Sequence, residues 1–239
     1  MKFNNSNIEQ APAPALNIRL LDRLVRIFPR RLFILFSART EAKFSFHPLL
    51  LCRSLSPANP DLPAGYAFDL LNEDWLNAMI HHKEALPAAV YHNRLAKGDQ
   101  CYCLAVNGEL VAYQWVTRQT CCIFRGMDQE IDFLPLEPNQ AFSYDFYTYR
   151  NHRNKGYGSL LKKHFYKAIS EKGGSEIISC VLPNNKESRN IHLREGFSLK
   201  ALPYNYRIKN WSTTLWSSEA KVNETAAWLE QIRKTLKDN

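Results

Sequence analysis

The sequence predicts a mixed α/β domain in which strands and helices alternate around a central sheet, and three observations carry that prediction. Two apolar β runs, CYCLAV and ELVAYQWVT, are joined by Asn107-Gly108, the preferred pair of a tight hairpin turn. An aromatic strand pattern from Tyr144 to Tyr149 passes through a glycine-containing turn into a helix. Between Tyr66 and Ile208, short apolar runs of strand length alternate with stretches of helical period.

Taken in order, residues 1–15 are rich in Asn, Pro and Ala and read as a disordered lead-in. The next stretch predicts an amphipathic helix. Leu20, Leu21, Leu24, Val25 and Phe28 form its apolar stripe, Arg19, Arg23, Arg26 and Arg30 line the other side, and Pro29 ends it. Such a helix either packs on its own domain with solvated arginines or rests on an anionic membrane surface or a partner. LFILFSA and FHPLLLCRSL read as strands, and SPANPDLPAG, with three prolines, as a connector. An N-terminal extension of residues 1–60 therefore precedes a core domain over 61–210, with 211–239 as a C-terminal helix.

Within the core, YAFDLL is the first strand, Asn72 or Asp74 caps a helix around Trp75–His82, and a second helix runs from about Pro87 to Lys97. The hairpin comes next. CCIFRG adds a strand, and a loop through Pro135 and Pro138 leads to the strand at Phe142. After the glycine turn, Leu160, Leu161, Phe165, Ala168 and Ile169 recur at helical spacing until Gly173-Gly174 stops them. EIISCVLP is a strand, Lys186–Glu195 a helix ended by Gly196, and FSLKALPY and NYRI are closing strands. From Ser217 the apolar residues Val222, Ala226, Leu229, Ile232 and Leu236 predict a helix that docks on something.

The 239 residues carry 31 Lys and Arg against 23 Asp and Glu, a net charge of +8, and the pI is about 9.2. That balance suits an anionic partner (a coenzyme, a nucleotide sugar, a nucleic acid or an acidic membrane surface) without choosing among them. The six cysteines form no C-x-x-C pair and sit mostly in apolar runs, so the expectation is reduced core thiols in a cytoplasmic protein, with neither metal nor disulfide. No apolar run approaches the length of a membrane span, and no signal-peptide pattern opens the chain.

The chemistry concentrates in the turn Arg153-Asn154-Lys155-Gly156-Tyr157-Gly158. Glycines admit close approach of a ligand to the backbone, and a helix N-terminus presents unpaired N–H donors with a partial positive charge. With Arg153 and Lys155 added, the turn is an anion cradle suited to a pyrophosphate. It is neither G-x-G-x-x-G nor G-x-x-x-x-G-K-[ST].

It resembles the R-x-x-G-x-G signature of the GNAT acetyltransferase superfamily, whose members bind acetyl-coenzyme A. A second segment, Asn185-Lys186-Glu187-Ser188-Arg189-Asn190-Ile191-His192-Leu193-Arg194-Glu195-Gly196-Phe197, is similar to the same family's pattern of an Asn after the fifth strand, a short helix bearing a Tyr, and Gly-Phe at the next strand. Asn185 and Gly196-Phe197 match in spacing, and the order of elements over roughly residues 65–208 looks like that family's. The resemblance implies a GNAT fold: a mixed central sheet flanked by helices, with strands splayed at the acyl-coenzyme A site. It also implies direct attack of an amine on the bound thioester.

Under that resemblance, backbone amides of Phe146, Tyr147, Thr148 and Tyr149 orient the pantetheine arm, while Arg153, Asn154, Lys155, Gly156, Tyr157, Gly158 and Asn185 complete the coenzyme site. His192 stands where many relatives carry the tyrosine that protonates the departing thiolate. It is either that proton donor or an ordinary helix residue. Asp145 is the one carboxylate of its strand, with Tyr147 and Tyr149 on its face by alternation, and is either a general base or a solvated or hydrogen-bonded aspartate. No metal is implied.

The leading expectation is thus an N-acyltransferase using acetyl-coenzyme A and a small primary amine. The alternative is a non-catalytic module of the same fold that binds a coenzyme or a partner. A nucleic-acid binder rests on charge alone. A homodimer, and peripheral membrane contact through the Arg19–Arg30 helix, are compatible with the sequence and not demanded by it.

Overall fold

The structure, a computed structural model, describes residues 49–55, 60–82, 85–125, 129–208 and 211–237; over 122–125, 129–134, 204–208 and 211–216 it describes the backbone alone. The basic helix expected around Arg19–Arg30 and the strand at LFILFSA lie outside the described residues. By internal contacts the chain divides into a large unit, Ser45–Asn205 with Thr214–Asn239, and a small one, Met1–Phe44 with Tyr206–Thr213.

The large unit is centred on a seven-stranded sheet. The strands are β1 (Leu49–Ser54), β2 (Tyr66–Leu70), β3 (Gln100–Val106), β4 (Glu109–Thr117), β7 (Gln140–Thr148), β8 (Glu176–Val181) and β9 (Ser198–Ala201), in spatial order β2-β3-β4-β7-β8-β1-β9. β7 and β8 pair parallel, and the other neighbours pair antiparallel. Asn107 (φ 51°) and Gly108 (φ 84°) both occupy the left-handed region, as the expected two-residue turn between β3 and β4 requires. β5 (Thr120–Arg125) pairs with β6 (Gln129–Pro135) in a separate hairpin, so much of the loop expected before Phe142 is a strand. β10 (Pro203–Ile208) pairs with β11 (Trp211–Trp216) in a second one.

The sheet begins earlier than the sequence suggests. β1, from the segment before residue 61, inserts between β8 and β9, with Leu49 opposite Val181 and Cys52 opposite Ser198.

Two helix layers cover the sheet. α1 (Glu73–His81), capped by Asn72 through its side-chain oxygen and the Trp75 N–H at 2.9 Å, and α2 (Ala88–Ala96) bury Met79 and Tyr91 against Trp115, Phe142 and Tyr144. α3 (Tyr157–Glu171), α4 (Lys186–Arg194) and α5 (Glu219–Lys237) contribute Phe165, Ile169, Leu193 and Leu229 to a second cluster with Phe197 and Ile177. The tail helix thus docks through Leu229, with Val222, Ile232 and Leu236 packed beside it.

Cys52, Cys101, Cys103 and Cys121 are free thiols. Among the described residues no helix is long and apolar enough to cross a membrane.

Candidate active site

The site lies where β7 and β8 part. Their parallel ladder runs from Gln140 opposite Glu176 to Ser143 opposite Ser179 and stops there. β7 continues to Thr148 and β8 to Val181. On its other side β7 stays paired with β4 as far as Thr148 opposite Ala112. Backbone of residues 144–148 therefore has no ladder partner toward β8, and the sheet opens into a wedge.

Asp145 is the hinge of that wedge. Its φ of 46° is in the left-handed region, uncommon for a residue other than glycine, and the register with β4 shifts between Tyr113 and Trp115, opposite it. The bulge changes which side chains share a face. Phe142 and Tyr144 pack in the cluster under α1 and α2, and after the bulge Tyr147 and Tyr149 do so, whereas Phe146 packs with Leu161 on the α3 side. Simple alternation does not survive Asp145.

The Asp145 carboxylate accepts a hydrogen bond from Arg94 of α2 at 2.5 Å. That guanidinium is buried and lies 5.1 Å from the centres of both the Trp115 and Tyr144 rings. This cationic partner is invisible in the sequence, because Arg94 sits 51 residues away on a helix whose charged positions all look solvent-facing. Tyr113 and Tyr149 complete this wall; burial pushes both phenols well above the ordinary tyrosine range.

The cradle comes directly after. Beyond the turn Arg150–His152, Asn154 (φ 62°) and Gly156 (φ 81°) both take left-handed conformations, and Gly156 begins α3 without a side-chain cap. The first N–H groups of α3 are thus left for a ligand. Arg153 donates from Nε to the Thr148 carbonyl oxygen at 3.0 Å, and its guanidinium lies 5.5 Å from the Tyr147 ring centre. Lys155 is exposed. Tyr157 turns its ring to Tyr66 at 5.9 Å.

The two glycines do different work. A Cβ on Gly156 meets nothing within 4 Å, so that position needs glycine for its φ and leaves open space over the turn. A Cβ on Gly158 would stand 2.9 Å from Phe146 Cζ and 3.2 Å from Thr148 Oγ1, so that glycine lets α3 settle on β7. Gly158→Val is therefore expected to cost about 1–3 kcal/mol through overpacking. Gly156→Val should cost roughly 1–2 kcal/mol through backbone strain alone, while obstructing the turn. Urea unfolding beside titration with coenzyme A separates them: equal binding by both variants would contradict this assignment.

Asn185 lies beyond the end of β8, where its Oδ1 accepts from the Ser188 N–H at 3.0 Å and caps α4. His192, on the same helix, is buried. Its Nδ1 donates to the Ser188 carbonyl oxygen at 2.7 Å, and its Nε2 lies 3.1 Å from the Ser179 hydroxyl oxygen. Burial first, and then the charge of Lys162, lower its imidazole to about 3. The ring is neutral near neutral pH, with its single N–H engaged. An imidazole so held commits its one N–H to the Ser188 carbonyl oxygen.

Behind Phe146, on the α3 side of the sheet, lies a residue that in the sequence looks like a generic cation. Lys162 of α3 is buried, and its Nζ lies 5.0 Å from the Phe146 ring centre without a hydrogen-bond partner among the described residues. A polar residue within an apolar helical stripe gives no periodic signal, so only the packing finds it.

The wedge, the left-handed turn and the uncapped helix fit a ligand with an extended amide-bearing arm ending in a pyrophosphate. Among the described residues no cluster of His, Cys, Asp and Glu could hold a metal ion. A search of curated proteins finds no match. Among solved structures, the glucosamine N-acetyltransferase region of a fungal multi-domain β-N-acetylglucosaminidase is 12% identical, with 78% of this chain and 22% of that one covered and a TM-score of 0.51. A GCN5-related N-acetyltransferase from Kribbella flavida is 15% identical over 82% of this chain and 66% of its own, TM-score 0.42. The ribosomal-protein-S18-alanine N-acetyltransferase of Escherichia coli is 13% identical over 57% and 80%, TM-score 0.44. The chain spans about two thirds or less of the first structures it matches. At 12% identity the first of these, the fungal region, shows the fold alone. Residues 66–197 match the model of the acetyltransferase (GNAT) family, which covers more than half of the sequence, and the chain belongs to that family.

Proposed function

We propose that this chain is an N-acyltransferase that moves an acetyl group from acetyl-coenzyme A to a primary amine by direct attack. The observation that carries the reading is the adjacency of the cradle and the wedge. Asn154 and Gly156 shape a turn of unpaired N–H groups at the start of α3. One strand earlier, the backbone of residues 144–148 is released from β8. The first suits the pyrophosphate; the second suits the pantetheine amides and the oxyanion of the thioester carbonyl.

In this reading Phe146, Tyr147, Thr148 and Tyr149 act through their backbone. Arg153 and Lys155 supply positive charge, Gly156 and Gly158 the close approach, and Asn185 the fixed start of α4. Asp145 shapes the bulge and holds Arg94 rather than taking the amine's proton, which passes to water. His192 braces α4 against β8. The acceptor approaches from the α1–α2 side, where Asp145 and Tyr147 border the wedge, and the expected compartment is the cytoplasm.

Acetyl-coenzyme A should bind and raise stability by mass action, about 2.7 kcal/mol at a hundredfold excess over Kd. Free thiol should then accumulate when the complex meets a panel of primary amines. Calorimetry without heat of binding, together with an unshifted melt, contradicts the reading. The buried, neutral His192 favours one second reading, a module that binds coenzyme without turning it over. Binding with no thiol release across the panel selects it.

A further inference from the structure

We propose that Lys162 is the acid of this site, giving its Nζ proton to the sulfur that leaves coenzyme A. The inference rests on the acetyl-transfer reading above. Lys162 lies four residues after Gly158, on the face of α3 turned to the sheet, and only 2% of it is exposed. The cradle residues before it, Arg153 to Gly156, are exposed and face solvent, so its ammonium is not part of the phosphate site.

The surroundings offer it no hydrogen-bond acceptor among the described residues. Phe146 of β7 presents a ring face. His192 of α4 is neutral, with both nitrogens engaged by Ser188 and Ser179. Glu195, just after α4, has its carboxylate on Arg53 of β1 at 3.3 Å, and that guanidinium adds a further positive charge. Nζ is left without an acceptor among the described residues. A buried ammonium without an acceptor is costly and calls for an anion or for loss of its proton. The wedge beside Phe146 is where a developing negative charge would arise.

Burial lowers the Lys162 ammonium to about 8, against the opposing pull of Glu195. A free thiol titrates at about 8.5, so proton transfer between the two is nearly isoenergetic, which is the condition for an efficient general acid near neutral pH. Atoms and charges balance. The amine nitrogen bonds to the carbonyl carbon, the C–S bond breaks, and the sulfur takes a proton from Nζ. The new amide nitrogen gives a proton to water, and Lys162 recovers one from water as the thiol departs.

The test titrates the thiol of coenzyme A bound to the full chain, by the ultraviolet absorbance of the thiolate. In the parent, the bound thiol should ionise about one pH unit lower than free coenzyme, the tenfold shift a neighbouring cation produces. In Lys162→Met that shift should vanish and kcat fall roughly 10²-fold. The decline of kcat as pH rises through the lysine's range should vanish with it, while coenzyme Kd stays within about threefold, less than 1 kcal/mol. Lys162→Arg should keep the thiol shift and lose the rate, because arginine holds its proton.

A bound thiol that titrates like the free one in the parent overturns the proposal, and needs no variant to fold. So does a Lys162→Met enzyme with parental kcat, or a Lys162→Arg enzyme with parental kcat. Absence of coenzyme binding in the parent overturns the acetyl-transfer reading itself, and is thereby told apart from failure of Lys162.

Discussion

Arg94→Met is expected to lower stability by about 3–5 kcal/mol, the loss typical of breaking a buried ion pair by removing one partner. Arg94 is 3% exposed in its side chain and Asp145 24%. The pair contributes little net energy while intact, since both charges were desolvated to form it. Removing the guanidinium leaves the Asp145 carboxylate without this ion pair and the Trp115 and Tyr144 rings without the cation over them. It also leaves Asp145 at a φ of 46° without the contact that holds it there. Asp145→Asn in the same chain should return part of the loss, because the orphaned charge is gone. Chemical unfolding of the two single variants and the double one gives the coupling. A loss below about 1 kcal/mol for Arg94→Met is what an exposed pair shows, and would place Arg94 outside the structural core of the site.

The acid side of the stability curve should carry the second large effect. The folded protein binds the His192 proton only near pH 3, whereas an unfolded histidine binds it near its ordinary 6.5. Between those values the unfolded state holds more protons, so stability rises with pH across that window and is lost as pH falls through it. Above 6.5 the contribution is fully present. Its size is roughly 3–5 kcal/mol, from about 1.4 kcal/mol per pH unit. His192→Gln, which cannot titrate, should show a flatter curve between pH 6.5 and about 4, measured by urea unfolding at fixed ionic strength. Parallel curves for parent and variant would mean that His192 takes up its proton over the same pH range folded as unfolded.

Much of this architecture is legible in local chemistry. Asn107-Gly108 specifies its own turn, Asn72 its own cap, and Gly156 its left-handed helix start, because each is decided within a few residues. The helix after the cradle is legible from its apolar period. What cannot be read depends on distant partners. LLLCRS has no feature that assigns it to β8 and β9 rather than to an outlying hairpin. The bulge at Asp145 hides in a run whose aromatic residues suit either face, so a change of alternation leaves no mark. Lys162 and His192 look like solvated helix residues until packing buries them. The prolines make β6 look like loop in the sequence, yet Pro135 ends that strand rather than interrupting it. The opening of the strands is implied by the family resemblance, whereas the bulge at Asp145 and the burial of Arg94 and Lys162 beside it leave no mark in the sequence.

β1 also governs how the chain is made. It is the earliest described strand, yet both of its neighbours come late: Cys52 and Ser198 are 146 residues apart. A ribosome that has released β1 through α3 has released a strand with two unpaired edges and most of a sheet that lacks its far half. Closing that gap requires the slow, non-local pairing that lengthens folding times. Until Glu176–Ala201 emerges, Leu49, Leu50 and Leu51, all fully buried once the sheet is complete, have no surface to cover them. An unpaired, apolar strand edge of this kind is the surface on which incompletely folded chains pair with one another.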